Sequence, residues 1–115
     1  MKRLMAIYKL HDVVVVPFPF TDRDATKRRP ALVVSDSKSL NIDKSILAMI
    51  TSSSHQPWPL DVIIEDLGST GLNAPSIIRM KLFTLDNSLI LKKIGKLSQQ
   101  DADEISFNLS QVFGL

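Results

Sequence analysis

The chain contains no cysteine. That excludes a disulfide framework, a thiolate-held metal and a cysteine nucleophile, and it fits a reducing cytosol. Long apolar runs are missing too. No stretch approaches membrane-spanning length, and the opening MKRLMAIYKLHD is too broken by charge to be a secretory signal, so the expectation is a cytoplasmic protein with no membrane contact. Histidine is scarce, with His11 and His55 alone and no HExxH or paired-histidine spacing, while the acidic residues fall mainly in loops and in a C-terminal helical stretch. A metal site needs several converging ligands, so neither metal nor other cofactor is expected. A histidine pair can also do acid and base work on a phosphodiester. These two lie on separate elements, and the plainer reading is a strand-start His and a loop His. The four glycines, Gly68, Gly71, Gly95 and Gly114, match neither a phosphate-binding GxxxxGK loop nor GxGxxG. Gly68 and Gly71, in DLGSTGLN, read as turn residues.

What is present is an ordinary globular composition, 44% hydrophobic and 23% charged over 115 residues. That length suits one domain over residues 1–115, able to bury roughly two thirds of its unfolded surface, and no repeat or linker divides it. The apolar runs are strand-like. DVVVVPFPF (12–20), ALVVS (31–35), SILAMITSS (45–53), PLDVIIED (59–66), SIIRMKLFTLD (76–86) and LILKKIGKL (89–97) each end in turn chemistry. Pro17 and Pro19 turn their nitrogens to one side, which allows a strand with one unpaired edge and argues against one paired throughout on both sides. Gly95 predicts a bulge or tight bend. Only the end of the chain has helical period: Ile105, Leu109, Val112 and Phe113 recur on one face, after Ser98 and Asp101 at the spacing of a capping box. The fold class predicted is mainly β, a small strongly bent sheet or barrel with a C-terminal helix.

Net charge is only +2, but the cations cluster. The connector 21–29 ends in Lys27, Arg28 and Arg29 just before Pro30; TSSS supplies four hydroxyls, Thr51, Ser52, Ser53 and Ser54; and IIRMK sets Arg79 and Lys81 two apart, on one face of a strand. A guanidinium holds phosphate through two parallel hydrogen bonds, and hydroxyls add uncharged donors. Each segment alone also has an ordinary reading as a solvated loop, a turn or a neutralising strand Arg. Only convergence in space would make them a phosphate cradle.

In order, HDVVVVPFPFTD, KRRPALVVS, AMITSS, GLNAPSIIRMKLFTLD and IGKLSQQDADEI resemble the MazF/PemK family of toxins from type II toxin–antitoxin modules, from about Asp12 to Leu115. The resemblance implies an SH3-like β-barrel of the MazF/CcdB type that forms a homodimer, cleaves single-stranded RNA without metal as an mRNA interferase, is neutralised by a cognate antitoxin, and meets a DNA operator only through the antitoxin complex. It implies that Arg29 and Thr51 are catalytic, with Ser52 and Arg79 as further RNA contacts. Lys27, Arg28, Ser53 and Lys81 complete the expected RNA-binding set, Lys27 and Arg28 on a loop that closes over the groove. Two positions depart from the family pattern. His11 stands where the family usually has Gly, and Lys81 where some members have an Asp proposed as general base.

The chemistry fits these residue types. In metal-free cleavage the 2′-hydroxyl, absent from DNA, attacks its own phosphorus, so the enzyme must stabilise a dianionic phosphorane. Arg29 suits that role better than a Lys, because its planar fork holds two phosphoryl oxygens. Two other readings use the same barrel: a CcdB-type toxin that binds gyrase without cleaving anything, and an inactive barrel that binds only RNA or an antitoxin.

Overall fold

The structure, a computed structural model, describes residues 7–18 and 27–115. Its strands are β1 (Asp12–Phe18), β2 (Lys27–Val33), β3 (Lys44–Ser52), β4 (Val62–Ile63), β5 (Ser76–Asp86) and β6 (Lys92–Lys96); a short turn of helix, α1 (Ser37–Leu40), follows β2, and α2 (Gln99–Val112) follows β6. All pairings are antiparallel, in one sheet of order β4-β5-β3-β2-β1-β6. The sheet curls into a half-barrel, with β4 and β6 at its two edges.

Both faces of this sheet are covered, which explains a run of valines where a one-sided sheet would alternate with polar residues. Val13, Leu32, Ala48, Ile50 and Ile78 pack on one face with Ala102 and Ile105 of α2. Val14, Val16, Ala31, Val33 and Leu47 pack on the other with Leu85 and Ile90. Successive residues of one strand thus enter different clusters, as a period of two requires.

Prolines and one glycine shape the sheet. Pairing of β1 with β6 ends at Val15↔Lys92, so Pro17 lies where β1 has a neighbour on the β2 side only, as its missing N–H requires. Pro19 lies outside the described residues. The bulge expected at Gly95 is present, since Val13 pairs with Gly95 and Val14 with Lys93, leaving Ile94 extra. A Cβ on Gly95 would come within 2.4 Å of the Ser69 carbonyl oxygen, so the close approach of the 69–70 turn needs glycine here.

Several boundaries differ from the sequence reading. The second strand starts at Lys27 instead of Ala31, because β1 continues to Phe18 and gives Lys27, Arg28 and Arg29 partners at Phe18, Pro17 and Val16. These three cations are therefore strand residues and not part of a closing loop; the connector before them lies outside the described residues. The fourth strand shrinks from 59–66 to Val62–Ile63, since Pro59 has no N–H and Leu60 takes a left-handed φ of 66°. The sixth begins at Lys92, after a 3-10 turn over Asn87–Leu89. In α2 the Ser98 side chain accepts from the Asp101 amide as expected, at 3.3 Å, but the Asp101 carboxylate does not reach back to Ser98. It is fully buried and instead accepts from the Glu65 and Asp66 amides at 3.1–3.2 Å. Of the apolar face, Ile105 is buried and Leu109 packs beside it, while Val112 and Phe113 are exposed.

Candidate active-site cleft

The cleft originates in a broken ladder. Strands β2 and β3 pair at Val33↔Leu47, Leu32↔Ala48 and Ala31↔Met49, and the next residue of β2 is Pro30, which has no amide to donate. Pairing stops and the strands part. Extending the same register by two residues sets Arg29 opposite Thr51, on the face of the sheet away from α2. A cleft of about 190 Å³ opens between them, lined by Phe18, Arg29, Met49, Thr51, Arg79 and Lys81, with Ile50 and Trp58 completing its wall.

Each wall residue has a local cause. Arg29 is exposed, and its guanidinium carbon sits 5.3 Å from the centre of the Phe18 ring, a cation–π contact that limits its rotation. Lys81 comes from an irregularity in β5: Ala48 pairs with Leu82 but Met49 with Arg79, so Met80 and Lys81 bulge out of the ladder. Thr51 is half-buried, and its Oγ1 is 2.7 Å from Nδ1 of His55.

Arg79 lines the cleft with its guanidinium already engaged. Its Nε and Nη2 donate to the two carboxylate oxygens of Asp61 at 3.2 and 2.9 Å, Nη2 also donates to the Gln56 carbonyl at 2.7 Å, and the group lies 4.7 Å from the Trp58 ring centre. Burial, the largest influence on the Asp61 carboxyl, pushes its pKa up, yet the Arg79 hydrogen bonds, the Trp58 amide and the Arg79 charge outweigh it and hold the group below the usual carboxylate value. The same Asp61 hydrogen bonds, acting against desolvation, raise Arg79 above the ordinary arginine value. The pair stays ionised. Its geometry fixes the connector from Gln56 to Asp61 against β5.

Of the residues expected to act together, the structure brings Arg29, Thr51, Arg79 and Lys81 into one cleft. The others lie elsewhere. Arg28 alternates onto the opposite face from Arg29, and Lys27 shares the Arg29 face but lies farther along β2. Ser52 and Ser54 bond each other at 2.9 Å, and Ser53 borders a second, apolar cleft of about 490 Å³ beyond Trp58. Phe18, Trp58 and Asp61 were missed by the sequence reading, and His55 was weighed there only as half of a histidine pair and set aside as a loop histidine. The one signal for them was Trp58 itself, the sole tryptophan, between two prolines in a polar connector.

His11 takes a φ of 74°, the left-handed region that favours glycine. Its backbone bonds Val33 through the amide at 2.8 Å and Leu97 through the carbonyl at 3.0 Å, so the turn geometry is kept with a side chain added.

A family model described as the PemK-like, MazF-like toxin of type II toxin–antitoxin systems matches residues 9–113. No curated protein matches the chain. Among solved structures, an endoribonuclease in complex with its cognate antitoxin from a mycobacterial species is 15% identical, with 95% of this chain and 97% of that chain covered at a TM-score of 0.74. The Mycobacterium tuberculosis toxin MazF-mt6 is 18% identical, with 90% and 97% covered at 0.71. A MazE-MazF complex from Deinococcus radiodurans is 17% identical, with 96% and 98% covered at 0.73. Likeness at these identities is one of fold.

Proposed function

This chain belongs to the PemK-like, MazF-like toxins of type II toxin–antitoxin systems, and on that premise we propose that it is a metal-independent endoribonuclease for single-stranded RNA. The observation that carries the reading is the meeting of Arg29 and Thr51 across the parted strands β2 and β3, with Lys81 on the same cleft. A scissile phosphate fits between them. The 2′-hydroxyl loses its proton as its oxygen attacks the adjacent phosphorus, the P–O2′ bond forms, the P–O5′ bond breaks and the departing O5′ takes up a proton, which leaves a cyclic phosphate and a 5′-hydroxyl with no net proton consumed. Arg29 donates in parallel to two phosphoryl oxygens, Thr51 donates its hydroxyl, and Lys81 adds charge as the phosphorane forms. Arg79 reaches the RNA less directly, as the organiser of the wall.

The partners follow from the same reading: single-stranded RNA, a second copy of this chain in a homodimer, and a cognate antitoxin, with operator DNA reached only through the antitoxin complex. The setting is cytoplasmic, and among the described residues no helix is long and apolar enough to cross a membrane.

The test is cleavage of a mixed single-stranded RNA by the purified protein in EDTA, with end analysis. Cyclic phosphate and 5′-hydroxyl termini are expected. Activity that requires Mg²⁺ overturns the mechanism, and binding without cleavage returns the protein to the non-catalytic barrel readings.

A further inference from the structure

The Thr51 hydroxyl meets the His55 ring at 2.7 Å, and the direction of that hydrogen bond decides what Thr51 can do. A neutral imidazole nitrogen either donates or accepts. If Nδ1 accepts, the hydroxyl proton points at the ring and Thr51 offers only lone pairs to the cleft. Such an oxygen repels a phosphate. If Nδ1–H donates, one lone pair of Oγ1 is satisfied and the hydroxyl proton is left to turn toward the cleft. An anion drawn in by Arg29 and Lys81 favours this second arrangement.

The backbone that carries this ring is held on both sides. The His55 amide donates to the Ser52 carbonyl at 3.2 Å, at the end of β3. On the other side, the Gln56 carbonyl is held by Arg79 at 2.7 Å, and Arg79 is fixed in turn on Asp61 and Trp58. The buried ion pair thus reaches the chemistry through one residue of backbone.

We propose that His55 is a positioning residue for Thr51: its Nδ1–H donates to Oγ1 and turns the threonine proton toward the scissile phosphate. This role rests on the cleavage reading above. It also gives Arg79 a structural part, since its Nη2 holds the Gln56 carbonyl, next in the chain to His55, at 2.7 Å.

Single-turnover cleavage of a mixed-sequence single-stranded RNA tests the role in four variants beside the parent: His55→Ala, His55→Asn, Thr51→Ala, and Thr51→Ala with His55→Ala. Asparagine keeps an amide N–H near the Nδ1 position. His55→Ala is expected to lower kcat on the order of tenfold, the scale of one oriented donor partly lost, with KM within about twofold. His55→Asn should recover most of that loss. The double variant should be no slower than Thr51→Ala alone, because His55 acts through Thr51. Melting temperatures should match, since His55 is exposed. Unchanged kcat in His55→Ala, no recovery in His55→Asn, or losses that multiply in the double variant overturn the proposal while the parent still cleaves. A parent that cuts no RNA overturns the cleavage reading, and this role with it.

Discussion

At the scale of single residues, Arg29 and His11 carry opposite kinds of information. Arg29 is exposed and its contact with the Phe18 ring is at the surface, so little of the fold depends on it. Arg29→Ala should therefore slow cleavage on the order of a hundredfold or more with a near-parental melting temperature, and Arg29→Lys should stay badly impaired, because a point charge does not reproduce the bidentate fork. Full activity in a well-folded Arg29→Ala protein removes it from the active site. His11, by contrast, is half-buried in a left-handed turn, and burial, outweighing the nearby Asp103 and Asp12 charges, pulls its pKa below the ordinary histidine value. The unfolded chain then takes up this proton more readily than the folded one. Stability from this site is complete above about pH 6.5 and is lost as pH falls through the lower folded value. His11→Gly should remove that acid loss and relieve the left-handed strain, which denaturation midpoints at pH 7.5 and 5 would report as a smaller difference than in the parent.

At the scale of elements, the helix depends on a carboxylate. Asp101 is fully buried at the first turn of α2 and accepts three contacts from the Glu65 and Asp66 amides, which ties the helix to the segment after β4. Asp101→Ala leaves two amides without that acceptor and should cost about 3 kcal/mol. Urea denaturation measures this, and a loss under about 1 kcal/mol would show that the amides find water instead. Other element-scale features trace to particular residues. Strand periodicity, the Ser98 cap and the Gly95 bulge are local chemistry, and all were legible in the sequence. The start of β2 at Lys27 was not, because a run of three cations reads as solvated until β1 is seen to lie beside it. The contraction of β4 was legible only in part: Pro59 stands in the sequence, but the left-handed turn at Leu60 and the pairing of Asp61 with Arg79, a residue 18 positions along the chain, do not.

At the scale of the whole molecule, charge and exposed apolar surface point outward. Phe107, Phe113 and Leu115 stand exposed near the end of the chain, and Trp58, Leu60 and Ile63 are exposed elsewhere on the surface. A protein of this size gains by covering such surface with a copy of itself. Sedimentation at micromolar concentration should show a dimer, and a monomer alone would count against the homodimer. An acidic antitoxin tail should be held partly by the cations of the cleft, so its affinity should weaken as salt rises; an affinity indifferent to ionic strength refutes that part.

The sequence by itself determined the strand-rich architecture, the terminal helix, the family resemblance and the residue types suited to phosphate, because these rest on period, turn chemistry and order along the chain. Tertiary structure alone decided which of those residues meet. Arg29 faces Thr51 because the register of β2 on β3 runs that way and Pro30 then ends the ladder, whereas Arg28, one residue earlier, is turned to the other face. Arg79 read as one more phosphate ligand, and only the packing shows that, while it lines the cleft, its Nε and Nη2 also bond Asp61 and Gln56. His55, four residues after Thr51, read as a loop histidine because no periodic pattern in the intervening turn says where its ring will point; its contact with Thr51 is local. Register and side-chain partnership depend on contacts between distant segments, and no local pattern specifies them.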